Sequence, residues 1–263
     1  MEYISTLAVL VLVFNAIFVL SVILKNNSIV DIFWGLGFII ASIYTYWAYG
    51  AGIEQQLLIT GLVTIWGLRL SGRILLRNWK KPEDWRYKKW RKEWDPSWFY
   101  LRSYLQVFML QALLCFTIIL PVIFVNSTLT FATEWLLFIG LTVWIFGFLF
   151  EVVGDWQLDQ FMKRKNRKKN ELLTNGLWKY SRHPNYFGEA TLWWGVWIIA
   201  MSVSFAAWWT VIAPLTITVL LLKISGVPIL EEKMMKNPNF KDYASQTNKF
   251  IPGPPKKAGA KTS

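Results

Sequence analysis

Residues 134–155 read EWLLFIGLTVWIFGFLFEVVGD. No charged residue stands between Trp135 and Phe150, and then Glu151 and Asp155 close the run. A helix rises about 1.5 Å per residue, so roughly 20 apolar residues cover a hydrocarbon core of about 30 Å. The stretch therefore predicts a membrane-crossing helix. Its two terminal carboxylates are four residues apart and share one helix face. Similar windows recur at roughly 5–24, 30–49, 56–76, 103–125, 186–203 and 205–224. The expectation is an all-α integral membrane protein with seven transmembrane helices. Composition agrees: 263 residues, 54% of them hydrophobic and 17 of them Trp, present more apolar surface than a soluble domain can hide. The first window lacks a basic leader and a small-residue cleavage site, so it reads as a retained span rather than a signal peptide.

The basic residues set the orientation. Lys25 stands alone; eleven Lys and Arg lie between Arg69 and Arg102, eight between Lys163 and Arg182, and eight from Lys223 onward. With seven spans and an outside N-terminus, all four groups fall on the cytoplasmic side, as the positive-inside rule requires. The net charge of +12 is then mainly a topology signal. It attracts anionic lipid or an anionic cofactor and gives little support to nucleic-acid binding. Cys115, the single cysteine, allows no intrachain disulfide and no cysteine metal site; it reads as a small buried hydrophobe. No metal site is expected.

Charged residues inside a span are expensive and mark function by default. Here they are Asp31, Arg69, Arg73, Glu151 and Asp155, with Arg182 and His183 just before the sixth window. On the expected topology all lie in the cytoplasmic third, which predicts one inward-opening polar cavity capped by basic loops. Two close buried carboxylates repel and need donors, which the ribose hydroxyls or amide of a cofactor would supply. The competing readings are ion pairs that hold helices together, snorkelling of Arg73 and Arg77 to the headgroups, and a structural role for the lone His183. Pro184 favours an extended turn at His183. The next helix then starts near Asn185 with its positive dipole end toward the cytoplasm. Together with Arg182 and the loop KRKNRKKN at 163–170, that end suits a phosphate or carboxylate, although a positive-inside stop signal also explains the loop. There is no G-x-G-x-x-G after a strand, no Walker loop and no HExxH.

The block NGLWKYSRHPNYFGEATLWWG at 175–195 resembles the C-terminal signature of the steroid 5α-reductase superfamily, and most closely its bacterial and plant branch formerly of unknown function. SIVDIFWGLGF at 28–38, IWGLRLSGRILLRNW at 65–79, EDWRY at 83–87, SGVPILEEKM at 225–234 and DYASQTNKFIP at 242–252 agree with it. The resemblance implies a seven-helix enzyme, here residues 1–251; the Pro/Gly/Lys-rich residues 252–263 read from composition as a disordered basic tail. It would use NADPH to reduce a C=C bond conjugated to a ketone in a steroid-like lipid that enters from the bilayer. No obligatory protein partner is visible. The location implied is multi-pass in a membrane, a bacterial inner membrane rather than the endoplasmic reticulum.

The same resemblance assigns roles. Asn185 and Glu189 position the reactive end of the cofactor, and Glu151 and Asp155 hold its polar groups. Lys163, Arg164, Arg167, Lys179, Tyr180, Arg182, His183 and Tyr186 complete the cofactor set. Asp31 matches the family's acidic residue near the second helix and, with Arg69, polarises the substrate carbonyl. The family's Tyr on the third helix has no clear counterpart, since Trp66 occupies that position; Tyr87 lies downstream in what reads as a loop. Isoprenylcysteine and phospholipid methyltransferases also carry an RHP-x-Y-x-G block, and an acidic pair that Glu231 and Glu232 match. A methyltransferase dependent on S-adenosylmethionine is thus the alternative enzyme, and a non-catalytic lipid-binding protein is the third possibility.

Overall fold

The computed structural model describes residues 1–256. It comprises α1 (Glu2–Leu24), α2 (Ile29–Tyr49), α3 (Glu54–Asn78), α4 (Trp85–Glu93), α5 (Phe99–Asn126), α6 (Glu134–Lys163), α7 (Pro184–Val203), the helical run α8 (Phe205–Met234) and α9 (Phe240–Gln246). Among the described residues there is no strand, only a parallel bridge between Ser181 and Asn248. Six helices, α1, α2, α3, α5, α6 and α8, are long and apolar enough to cross a membrane. The sequence predicts seven. The window at 186–203 does form a helix, α7, but Asn185, Tyr186, Glu189 and three tryptophans dilute its apolar character. Of the expected tail, residues 257–263 lie outside the described residues. Residues 252–256 carry two backbone bonds, from Gly253 to the Tyr180 carbonyl (3.1 Å) and from Lys256 to the Gln246 carbonyl (2.8 Å).

The chain divides into two compact units. The first holds residues 1–133 and 200–213. Within it α2 and α3 approach through Gly35 and Gly67: a Cβ on Gly35 would lie 2.6 Å from the Gly67 carbonyl oxygen. At one end of this unit a buried polar knot ties three helices. The Asn126 amide donates to Thr45 Oγ1 (2.9 Å), Thr60 Oγ1 (3.1 Å) and the Ser42 carbonyl (3.2 Å). Gln56 donates to the Thr128 carbonyl (3.0 Å) and accepts from the Ala51 amide (2.9 Å). In an apolar surround each of these groups must be satisfied internally. At the other end, the loop before α4 is pinned to the α1–α2 turn. Asn27 N–H donates to Glu83 (2.8 Å), and Asp84 N–H donates to Ser28 Oγ (2.6 Å). Asp84 then caps α4 by accepting from the Arg86 amide (3.0 Å).

The second unit holds residues 134–199 and those from 214 onward. Gly140, Gly147 and Gly154 recur every seventh residue on α6; the first two meet Gly195 and Gly188 on α7, and Gly154 meets Asn185. A Cβ on Gly195 would sit 2.6 Å from the Trp144 amide nitrogen, and one on Gly188 would sit 2.6 Å from the Gly147 carbonyl oxygen and closer still to the Glu151 amide. The two backbones are therefore in direct contact, the packing that small residues allow where no aqueous driving force operates. This crossing fixes Glu151 and Asp155 against the first turns of α7.

Candidate functional site

The site grows from the turn before α7. Arg182 is nearly buried, and its guanidinium donates to Glu231 Oε1 (2.8 Å), to the Thr247 carbonyl (2.7 Å) and to the Ala244 carbonyl (3.0 Å). Its backbone N–H donates to the Asn248 carbonyl (2.9 Å), and Ser181 Oγ donates to the Phe250 carbonyl (2.7 Å). The Tyr243 hydroxyl reaches the Trp178 carbonyl (2.6 Å), while the Trp178 indole donates to the Gly154 carbonyl (3.1 Å). Segment 240–253 is thus laced across the entry of α7, and Arg182 is its central fastener.

His183 follows, only 1% exposed, with Nε2 3.1 Å from Glu231 Oε1 and its ring stacked on Tyr186. Its Nδ1 has no hydrogen-bond partner among the described residues. Burial holds the imidazole below its ordinary value; Glu231 opposes this, and Arg182 and Lys249 reinforce it. The fold therefore prefers the neutral ring. Unfolding restores a value near 6.5, so the unfolded chain takes up the proton first as pH falls. The resulting stability is complete above about 6.5 and is lost as pH drops through the folded value. From about pH 7.5 to about pH 5, the unfolding midpoint in detergent is expected to fall more in the wild type than in His183→Gln. Parallel profiles would remove His183 as the source.

At the second residue of α7, Asn185 Nδ2 donates to Asp155 Oδ1 (3.0 Å). Its Oδ1 is buried and finds no partner among the described residues. Glu151, Asp155 and Glu189 are all buried in the same unit. The paired-carboxylate reading thus gains a definite neighbour, Asn185.

The same unit holds a cavity of about 700 Å³, whose lining includes His183 but none of Glu151, Asp155, Asn185 and Glu189. Its floor is apolar, with Leu158, Phe161, Trp178 and Leu230. Arg167, Lys168, Lys169 and Lys233 line it together with one carboxylate, Glu171, which is paired with Arg164 (2.7 Å), and His183 belongs to its wall. Such a volume lies in the usual range for small-molecule sites, and four cations over an apolar floor suit a polyanion that carries a flat ring.

In the first unit, Asp31 on α2 accepts from the Tyr87 hydroxyl (2.8 Å) and from Arg86 Nη2 (2.7 Å). Tyr87 is buried on α4, a nine-residue helix where the sequence suggests a loop. Burial, then the neighbouring Asp31 charge, pushes its phenol well above the ordinary value. Tyr87 therefore keeps its proton and is a donor, never a base, at neutral pH.

Residues 17–247 match the family described as "Protein of unknown function (DUF1295)", which is associated with steroid 5α-reductase-like membrane proteins. The chain belongs to this family. An uncharacterized protein of Schizosaccharomyces pombe is 25% identical over 268 residues, covering 90% of this chain and 76% of the relative. No solved structure matches.

The structure distributes the sequence-predicted residues unevenly. Asp155 and Asn185 are bonded to each other, with Glu151 and Glu189 buried in the same unit. Arg167 and His183 line the large cavity, while Lys179 lines a smaller one of about 440 Å³ with Tyr243 and Thr247. Arg164 pairs with Glu171 (2.7 Å), Lys163 ends α6, and Tyr180 is exposed. Asp31 and Tyr87 are in contact, and Arg69 lies on α3. Sequence reasoning missed Arg86 and Lys233. Both stand inside quoted stretches, EDWRY and SGVPILEEKM, but nothing local marks Lys233 as a cavity residue, because it lies more than 60 residues downstream of the basic loop.

Proposed function

We propose that this protein is a membrane-embedded reductase that uses NADPH to saturate a C=C bond conjugated to a ketone in a steroid-like lipid. The observation that carries the reading is the cavity ringed by Arg167, Lys168, Lys169 and Lys233. Four cations favour a multiply phosphorylated cofactor over S-adenosylmethionine, whose sulfonium and ammonium are themselves cationic. Glu231, which the methyltransferase alternative needs as half of an acidic pair, already accepts from Arg182 and contacts His183.

The residues present fit such a cofactor. Asn185 Oδ1 is a buried acceptor left over by the protein's own bonding, and an amide N–H is the donor it lacks. Asp155 orients the Asn185 amide group. The basic ring holds phosphates, and the apolar floor takes a flat base. When bound, NADPH supplies a hydride for the β-carbon of the enone. The chain must then stabilise negative charge as it develops on the carbonyl oxygen and deliver a proton to the α-carbon. Within the first unit this polarising role is assigned to the Tyr87 phenol, whose single O–H would turn from Asp31 Oδ1 to the carbonyl oxygen while Arg86 keeps the Asp31 charge paired. The proposal includes α7 as a seventh span, its 20 residues matching the hydrocarbon thickness, with the N-terminus outside.

Thermal shift of the detergent-purified protein tests the reading. NADPH at about 100 times its dissociation constant should stabilise by about 2.7 kcal/mol, and Asp155→Ala should lose that shift. Tyr87→Phe should keep the shift yet lower turnover of a 3-oxo-4-ene steroid by about 100-fold or more. Stabilisation by S-adenosylmethionine alone would overturn the assignment.

A further inference from the structure

Residues 79–98 join the end of α3 to the start of α5, two helices suited to cross a membrane, so this stretch lies where the chain leaves and re-enters the apolar layer. Within it α4 is two-faced. Tyr87, Trp90, Arg91 and Trp94 share the inward face at spacings of three and four residues. Tyr87 meets Asp31, Trp90 and Trp94 stack, and Arg91 bonds Glu83 (3.0 Å) and lies over the Phe99 ring. Trp85, Lys88, Lys89 and Lys92 occupy the opposite face with the same spacing, and all four are exposed. Exposed Trp79, Lys80, Lys81 and Trp98 flank them.

Little in the protein neutralises this face. Glu93 stands 3.8 Å from Lys89, and Asp95 is engaged by Ser97. Lys80, Lys81, Lys88 and Lys92 form no ion pair among the described residues. A tryptophan prefers the level of the lipid headgroups, with its ring toward the acyl boundary and its N–H toward water. Lysines at that level are drawn to anionic lipid. A free phosphate would satisfy the lysines and leave the indoles in water; a phospholipid satisfies both. We propose that the outer face of α4 is a binding surface for anionic phospholipid headgroups, with Trp79, Trp85 and Trp98 seated at the acyl boundary. The same nine residues hold Tyr87 on Asp31, so the lipid contact and that hydrogen bond share one rigid element.

The test uses the full chain in phosphatidylcholine vesicles doped with equal shares of either brominated phosphatidylglycerol or brominated phosphatidylcholine. Bromine quenches a tryptophan it touches, and the difference between wild type and Trp85→Phe isolates the α4 signal. Phosphatidylglycerol is expected to quench that signal several-fold more strongly at low salt. A variant combining Lys80→Gln, Lys81→Gln, Lys88→Gln and Lys92→Gln should bring the two lipids close to parity, while Lys241→Gln, elsewhere on the surface, should keep the preference. Equal quenching in the wild type, or an unchanged preference in the fourfold variant, overturns the proposal. So does loss of the preference on adding inorganic phosphate at constant ionic strength, which would assign the lysines to a free anion. No turnover is measured, so the result stands or falls separately from the reductase reading.

Discussion

Arg182→Ala is expected to destabilise the protein by about 3 kcal/mol, the usual consequence of removing one partner from a buried ion pair. Three acceptors lose a donor at once: Glu231 Oε1, left with His183 alone, and the carbonyls of Ala244 and Thr247. The Glu231 charge stays behind in a side chain only 17% exposed. For a chain of this size the unfolding midpoint should fall by roughly 10 °C. Arg182→Lys should recover little, because one ammonium cannot span a carboxylate and two carbonyls in a fixed plane. Thermal unfolding in a single detergent measures both variants. A midpoint for Arg182→Ala within about 2 °C of wild type would show that the lacing contributes nothing.

Gly188→Ala should be damaging for a different reason. The new methyl would fall on the Glu151 amide and 2.6 Å from the Gly147 carbonyl, and backbone cannot swing aside as a side chain can. Overpacking of this kind typically costs about 1–3 kcal/mol, and a backbone clash belongs at the upper end. Because the clash lands on Glu151, separation of α6 from α7 also shifts Asp155 away from Asn185, so the NADPH binding proposed above should fall with stability. Gly61→Ala is the matched control. It sits on α3 with nothing within 4 Å of the added methyl, and a helical Gly→Ala change there should stabilise by up to about 1 kcal/mol. Equal effects from the two substitutions would refute a direct backbone contact.

Local spacing made part of this legible. The four-residue interval between Glu151 and Asp155 put both on one face, and the long apolar runs announced helices. Asp84 caps α4 by accepting from the Arg86 amide, yet EDWRY reads as a loop because α4 is short and carries few apolar residues. The glycine register of α6 and α7 is visible only when two distant segments are compared, since each glycine alone looks like a weak helix position. Arg182 showed the opposite limit. Its residue type suggested an anion ligand, but its partners lie 49 to 65 residues away, and no interval within one segment encodes that. The six apolar helices and the seventh expected span part company at α7 for a compositional reason: tryptophan, tyrosine and glycine serve packing and lower hydropathy together.

The lacing of segment 240–253 over the entry of α7 bears on how the protein is made. Those residues are translated after every helix apolar enough to span a membrane. A nascent chain can thus have all of its spans inserted while Arg182 still lacks the carbonyls of Ala244 and Thr247, and Trp178 the hydroxyl of Tyr243. Maturation of the site is then separate in time from insertion. A chain cut short near residue 239 would reach the membrane with every residue that lines the cavity, yet without the carbonyls of Ala244 and Thr247 that hold Arg182, so its fate would be decided by quality control after insertion rather than by the insertion machinery.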